Sequence, residues 1–599
     1  EGATNVTREL LRNWCREDRQ KRLFYCQLEA AETVIFLSEI RSGGKRVRFN
    51  PRLTDDDLTK VVDKPLEPDL PPLTRYGCKM ATGSGKTVVM AMLVAWTLCN
   101  RGRFPSDERF PSAVLVVCPN LTVKERLQVL RPDYLRNYYS EFDLVPNQLR
   151  PLMQHGKVMV TNWHLFNPES EHSENGRSYV VVNKGPESPE AFARRVLGDL
   201  YDHSPIMVLN DEGHHCYRPA PQGDPNGLTR EEAQWLQFEQ EEARRWASGL
   251  DRINQASGIR MCVDMSATPF YIKGSGFFEG SPFPWLVSDF GLVDAIESGI
   301  VKIPRIPVSD TTGRPEPRYF RLWRAINDGL QPGERLPGRA GKSKPDVVWR
   351  GAEGALNTLM GQWEERFHYI QEGSPGQDLT PPVLIIVCDN TDIAEVFYRN
   401  ISGEETVQVL DETVNDEDSD QEESQPRRGR RPRTRTVCGQ GRVFPEYFSN
   451  REGVRRTIRI DTKLLAEADS GDGSQTRQQA AEELRKIVAT VGKAGEPGEQ
   501  VRCVVSVQML SEGWDANNVT HILGLRAFDS QLLCEQVVGR GLRRMDYTPD
   551  PKTGLLTEEY VDVYGIPFSV IPYKGRPVQQ KEPDDKPKYH VRALPERAR

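Results

Sequence analysis

Met80-Ala-Thr-Gly-Ser-Gly-Lys-Thr87 follows Arg75-Tyr-Gly-Cys78 and precedes the apolar run Val88-Val-Met-Ala-Met-Leu93. The stretch reads as a strand, a glycine-rich turn and the opening of a helix. With glycine at 83 and 85, and Thr82 and Ser84 beside them, the backbone can turn tightly. Its N–H groups then converge on the β- and γ-phosphates of a nucleotide, and the helix N-terminus adds a positive dipole end. In such a loop Lys86 neutralises phosphate charge and Thr87 ligates magnesium. The general pattern G-x-x-x-x-G-K-[ST] has glycine where this chain has Met80. A hydrolase also needs a carboxylate for metal and water at a strand end, and positive charge for the transition state.

Both are found downstream. Ile206-Met-Val-Leu-Asn-Asp-Glu-Gly-His-His215 is an apolar strand that delivers Asp211 and Glu212 at its C-terminal end, where parallel sheets place chemistry. Asp211 is positioned to hold magnesium through water, Glu212 to orient or deprotonate the attacking water, and His214 to sense the γ-phosphate. The alternatives for His214, His215 and Cys216 are a plain buried histidine pair and, less favoured because the ligands are adjacent and no second cluster accompanies them, a zinc site. Ser266-Ala-Thr-Pro269 is a hydroxyl-bearing turn able to connect the nucleotide site to another groove. Gln536-Val-Val-Gly-Arg-Gly-Leu-Arg-Arg544 puts Gln536, Arg540 and Arg543 at i, i+4 and i+7 of a helix. Two guanidinium groups on one face can act on a transferring phosphoryl group.

Between these segments short apolar runs alternate with helical patterns, including Ala113-Val-Leu-Val-Val-Cys118, Val158-Met-Val-Thr161 and Met261-Cys-Val-Asp-Met265. Continuous β-rich runs separated by helices predict a parallel sheet covered on both faces. A second such region contains Val383-Leu-Ile-Ile-Val387, Val501-Arg-Cys-Val-Val-Ser506 and His521-Ile-Leu-Gly-Leu525. The expected division is a helical lead-in at 1–72, a first domain at 73–275, a second at 276–575 and a C-terminal extension from 576 to 599. Polar inserts at about 309–350 and 400–495 interrupt the second domain. The later one holds the acidic run Asp411 to Glu423 and the basic run Pro426 to Arg433, a composition that favours a solvated excursion.

The chain has 599 residues, enough for two or more cores. It is 37% hydrophobic and 28% charged, and no stretch approaches the roughly 20 apolar residues of a membrane span. A soluble, cytoplasmic protein with no membrane partner is expected. Its eleven cysteines are scattered without a C-x-x-C pair and read as reduced core residues. A formal charge of -7 leaves nucleic-acid binding to a local basic groove. The chain begins at Glu1 and ends at Arg599 after a charged stretch, as expected of a processed or partial product, with no targeting segment.

In this order the segments resemble the helicase superfamily 2 motor, over about residues 20 to 545. That superfamily's loop, A-x-x-G-x-G-K-T, does not require the early glycine. Asp211-Glu-Gly-His214 matches its DExH box, Ser266-Ala-Thr268 its motif III and Gln536-x-x-Gly-Arg-x-x-Arg543 its motif VI. Ser511-Glu-Gly-Trp-Asp515 looks like motif V, with Gly513 and Asp515 at the matching places. Phe24-Tyr-Cys-Gln27 is similar to the Q motif, which implies that Gln27 reads adenine edges while a nearby aromatic or basic side chain stacks on the base. Cys118-Pro-Asn-Leu-Thr122 and Val160-Thr-Asn162 look like motifs Ia and Ic. These imply nucleic-acid backbone contacts by Pro119, Asn120, Thr161 and Asn162. The coupling residues would be Ser266, Ala267 and Thr268.

The wording of Met80 to Thr87, Pro119 to Arg126, Asp289 to Lys302 and Met509 to Asp515 is most like the Res subunit of type III restriction-modification enzymes. The resemblance implies two tandem RecA-like domains with ATP and magnesium in the cleft between them. It also implies a DNA helicase or translocase of a restriction or phage-defence system, with a modification or nuclease subunit as partner. No PD-(D/E)xK pattern is found, which places any nuclease beyond Arg599. A DExH RNA helicase and an ATP-gated nucleic-acid clamp remain open as alternatives.

Overall fold

The computed structural model describes residues 2–41, 61–65, 67–167, 187–219, 230–271, 275–278, 280–307, 317–336, 343–373, 380–409, 433–460, 475–507, 514–528 and 531–568. Two α/β units are built from mainly parallel sheets, as expected of tandem RecA-like domains.

The first sheet comprises β1 (Val62–Asp63), β2 (Leu73–Met80), β3 (Ala113–Cys118), β4 (Lys157–Asn162), β5 (Ile206–Asp211), β6 (Ile259–Ser266) and β7 (Leu286–Phe290). Its order is β1-β2-β6-β5-β3-β4, with β7 paired to β2 and only β1 antiparallel. Every residue of β3 and β5 is buried, which is why both read as unbroken apolar runs. The helix Lys86–Arg103 is buried without interruption from Val88 to Asn100. Its run from Val88 therefore shows no polar face. The lead-in helices Asn5–Trp14 and Tyr25–Ile35 pack onto it, and Trp96 Nε1 donates to buried Glu39 at 2.9 Å. Met80 closes β2 opposite Phe290 with its side chain fully buried. A core residue stands there because this turn begins one residue later.

The second sheet is formed by β8 (Ile303–Arg305), β9 (Val383–Cys388), β12 (Thr457–Ile460), β13 (Cys503–Val507), β14 (Val519–Leu525) and β15 (Tyr560–Tyr564). All its strands are parallel, in the order β12-β13-β9-β14-β15-β8. A separate hairpin joins β10 (Glu404–Val409) to β11 (Arg433–Cys438).

Two outcomes differ from the expected division. The pairing of β7 with β2 carries the first sheet past residue 275, so the chain changes sheets between Phe290 and Ile303. Segment 400–495 is an excursion only in part. Its β12 edges the second sheet, and Ile458 and Ile460 are buried there beside β13. Segment 309–350 likewise holds the helix Leu322–Asp328 and the start of Pro345–Gly373, which buries Val348 and Trp349. The acidic and basic run from Asp411 to Pro432 lies outside the described residues. Among the described residues no disulfide forms, and no helix is long and apolar enough to cross a membrane.

Candidate nucleotide site between the two sheets

The loop after β2 is held from three directions. Ala81 N donates to Phe290 O at 2.9 Å, and the buried Ser84 hydroxyl donates to Ala81 O at 2.7 Å. Gln27 supplies the third hold: its Nε2 donates to Ser84 O at 2.9 Å while its Oε1 accepts from Phe24 N at 3.0 Å. Gly83 and Gly85 both have φ of +88°, a region an L side chain rarely adopts. A Cβ on Gly85 would fall 2.1 Å from Gln27 Nε2. Glycine at 85 is therefore required by both conformation and space.

Lys86 opens the helix, and its Nζ lies 2.7 Å from Glu212 Oε1. Glu212 leaves the end of β5 in the left-handed region at φ 51°, a conformation that costs about 1–3 kcal/mol for a side chain of this kind. The next residue explains how the turn is held. A Cβ on Gly213 would meet Asp264 Cβ at 2.7 Å, so the turn lies flat on β6. Beneath it, fully buried Arg75 donates to Asp264 at 2.9 Å, Asp63 at 3.1 Å and Cys216 O at 2.6 Å. Asn210 Nδ2 donates to the other oxygen of Asp264 at 2.7 Å. An ion network so fully paired fixes the geometry of the turn above it.

Asp211 is 1% exposed, and neither of its carboxylate oxygens has a hydrogen-bond partner. Burial raises its pKa, opposed by Lys86 and reinforced by Glu212. Two orphaned acceptors in a cavity that Thr87 also lines fit a divalent cation. Magnesium is commonly held by one or two protein oxygens, phosphates and water. Among the described residues no cluster of three or more His, Cys, Asp or Glu suited to a metal occurs.

A chain of polar contacts leaves this site for the second domain. His214 Nδ1 lies 3.6 Å from Glu212 Oε2 and 2.9 Å from the Ser266 hydroxyl. That hydroxyl accepts from Thr268 N at 2.9 Å, and Gln536 Nε2 donates to Thr268 Oγ1 at 3.2 Å. Ala267 and Thr268 line the cavity between the two ends. The helix Gln531–Gly541 brings Gly539 against Thr82, where a Cβ would sit 3.6 Å from the threonine hydroxyl. Arg543 lies two residues beyond the helix and packs over Gly83, 3.7 Å from a Cβ placed there. Its guanidinium pairs with Asp515, and its pKa is lowered to about 10 by burial and then by Arg126.

The cavity enclosed by these groups measures about 1270 Å³ and includes Gln536, Arg540 and Arg543 along its second-domain wall. Gly513 lies outside the described residues. The cavity wall also holds two rings, Phe24 and Tyr547, 5.6 Å apart. Tyr547 also donates its hydroxyl to Gly83 O at 3.4 Å. Between the sheets, Lys302 joins the linker to the second domain: its N donates to Leu542 O at 2.8 Å and its Nζ to Asn517 O and Val519 O, both at 2.6 Å.

Residues 20–271 match the family model described as "Type III restriction enzyme, res subunit". The match covers less than half of the chain. Three solved structures are similar at low identity. One is the fragment of a candidate HsdR subunit of a type I restriction enzyme from Vibrio vulnificus YJ016, 13% identical over 96% of this chain and 70% of its own, with a TM-score of 0.38. The second is the ATP-dependent type ISP restriction-modification enzyme LlaBIII bound to DNA, 14% identical over 91% of this chain, with a TM-score of 0.36. The third is the DUF1998 helicase MrfA bound to DNA, 11% identical over 94% of this chain, with a TM-score of 0.36. This chain spans only 27% of LlaBIII and 49% of MrfA. A comparison with curated proteins gives no match.

The first sheet places the four expected nucleic-acid residues at adjacent strand ends, with Cys118 of β3 in register with Asn162 of β4. Their side chains are largely committed locally. Asn120 Oδ1 accepts from Val123 N at 3.0 Å and caps a short helix, and Thr161 is buried with its hydroxyl on Asn162 O at 3.3 Å. Asn162 is also buried, its Nδ2 3.4 Å from His164 Nδ1. None of these residues lines the nucleotide cavity.

Proposed function

We propose that this chain is an ATP- and magnesium-dependent motor that travels on DNA, the helicase or translocase part of a cytoplasmic restriction or phage-defence enzyme of the type III kind. One observation carries the reading: Lys86 and Glu212 of the first domain and Arg543 of the second face a single cavity large enough for a nucleotide. In that reading Lys86 leaves Glu212 for the triphosphate, and the freed carboxylate orients the attacking water. Arg543 leaves Asp515 and places its charge on the transferring phosphoryl group. Thr87 and Asp211 would hold magnesium, which neutralises phosphate charge when bound. Since groups from both domains are required, turnover is tied to closure of the cleft. Contacts to phosphates make track binding salt-sensitive and largely independent of sequence. A modification or nuclease subunit would supply site selection or cleavage.

The test compares ATP turnover with duplex DNA, single-stranded DNA and RNA, together with triplex and strand displacement. DNA-stimulated turnover with triplex displacement is expected. Stimulation by RNA alone would instead make the chain an RNA helicase, and stimulated turnover without displacement a clamp. Lys86→Ala should abolish turnover, and Glu212→Gln should abolish turnover while retaining ATP. Undiminished hydrolysis by Lys86→Ala would remove the site assignment.

A further inference from the structure

Arg126 ends the short helix Leu121–Arg126 and lines the nucleotide cavity, although the motif resemblance gives it no part there. Its guanidinium lies 3.6 Å from Asp211 Oδ2, the carboxylate whose two oxygens accept no hydrogen bond. Its own Nε is buried without an acceptor. Arg543 approaches from the opposite domain, close enough for the two like charges to oppose one another, and its Nε is also buried without an acceptor. Protein packing alone would not assemble this set. A buried polar group left without a partner is destabilising, and facing guanidiniums repel.

A bound anion with its cation resolves all of these deficits together. The cation would satisfy Asp211, and anionic oxygens would accept from both arginines. The location also selects which part of a nucleotide would do so. Arg126 stands beside Asp211 and Arg543, the groups that the proposed function puts at the phosphate being transferred. Furthermore, Arg126 is held in a helix tied across the cleft: the preceding residue, Glu125, pairs with Arg485 of the helix Gln475–Thr490 at 3.0 Å. A change of partner at Arg126 would therefore be felt on the second domain.

We propose that Arg126 is a terminal-phosphate contact supplied by the first domain, which exchanges its pairing with Asp211 for the terminal phosphate when Asp211 takes the metal. The inference rests on the cavity being a nucleoside triphosphate site. It adds a third guanidinium to those of Arg540, on the helix Gln531–Gly541, and Arg543, just beyond it, and it makes the short helix after β3 a reporter of whether the terminal phosphate is present.

The experiment measures binding of ADP and of a non-hydrolysable β,γ-imido ATP analogue, with magnesium, and ATP turnover, for Arg126→Ala, Arg126→Lys and Lys86→Ala in the full chain. In Arg126→Ala the preference for the analogue over ADP should fall about tenfold and turnover about a hundredfold, while ADP affinity stays within about twofold. Arg126→Lys should recover part of the preference but little of the turnover, because an ammonium lacks the planar fork. Equal loss of ADP and analogue binding in both Arg126 variants would mark a packing residue and overturn the proposal. So would an unchanged preference with unchanged turnover. If Lys86→Ala turned over ATP like the parent, the nucleotide-site reading itself would fall. An inert Lys86→Ala beside an unaffected Arg126→Ala would remove the Arg126 inference alone.

Discussion

Replacing Gln27 by alanine tests what this buried amide does. The side chain is 4% exposed and spends one hydrogen bond on Ser84 O and one on Phe24 N, at 2.9 and 3.0 Å. Each bond contributes about 1 kcal/mol net, and each backbone group left without a partner costs about 1–3 kcal/mol. The truncation should therefore cost roughly 2–4 kcal/mol of local order, concentrated in the loop that surrounds the phosphates. If about half of that is regained on nucleotide binding, affinity falls roughly 5- to 30-fold, at 1.4 kcal/mol per factor of ten. Because the loss acts through the phosphate loop and not through the base, it should be the same for ATP and GTP. The assay is kcat/KM for both nucleotides in parent and variant. An unchanged ATP:GTP ratio is expected. If kcat/KM for ATP fell toward that for GTP while GTP stayed at the parent level, Gln27 would be reading adenine edges and the tether argument would be refuted.

Gly85→Ala combines a positive φ with a Cβ placed 2.1 Å from the Gln27 amide, so it should destabilise the loop by about 2–3 kcal/mol and abolish ATP binding. Adding Gln27→Ala removes the clash but not the backbone strain, so the double variant should be about 1 kcal/mol better than the sum of the singles in thermal unfolding. Strict additivity would show that the two do not touch. Ser266→Ala deletes the hydroxyl between His214 and Thr268. Basal turnover should hold within about threefold while stimulation by DNA falls about tenfold, a coupling near 1.4 kcal/mol; equal stimulation would break the relay. Burial lowers the pKa of Lys302 to about 7, with Glu559 opposing the shift. A depressed amine pKa means the unfolded chain binds more protons between that value and the ordinary 10.5, so stability rises with pH across this window. Relative to Lys302→Met, the parent should therefore gain on going from pH 6.5 to pH 9, by up to about 1.4 kcal/mol per unit, read as a widening gap in thermal midpoint. A constant gap would show that Lys302 stays charged.

The parts of the site carried by contiguous residues were legible. A glycine-rich turn between a strand and a helix, or two carboxylates at the end of an apolar strand, is a local arrangement, and the loop at Gly83 to Thr87 and the pair Asp211 and Glu212 lie where those patterns put them. Parallel strands were equally legible where burial is complete, as in β3, β5 and β9. Legibility failed where long-range pairing supplies the meaning. The four residues of β12, Thr-Ile-Arg-Ile, have no pattern of their own and become a sheet edge only beside β13. Tyr547 reaches a loop 464 positions away. Arg126 sits within a stretch quoted for its family likeness, yet only the approach of β5 gives it Asp211 as a neighbour. Thr161 and Asn162 were expected to contact nucleic acid from their motif resemblance alone, and local sequence does not reveal that both are buried and bonded locally.

The two sheets differ in how much chain each needs before it can close. All strands of the first lie between Val62 and Phe290, whereas β8 of the second finds its partner β15 only at Tyr560–Tyr564. During synthesis from the N-terminus the first unit can fold while the second is still incomplete. Lys86 and Glu212 are then in place hundreds of residues before Arg540 and Arg543 have been made. If the proposed site assignment holds, a growing chain would bind nucleotide without hydrolysing it, and the strand order delays turnover until the second sheet has been made.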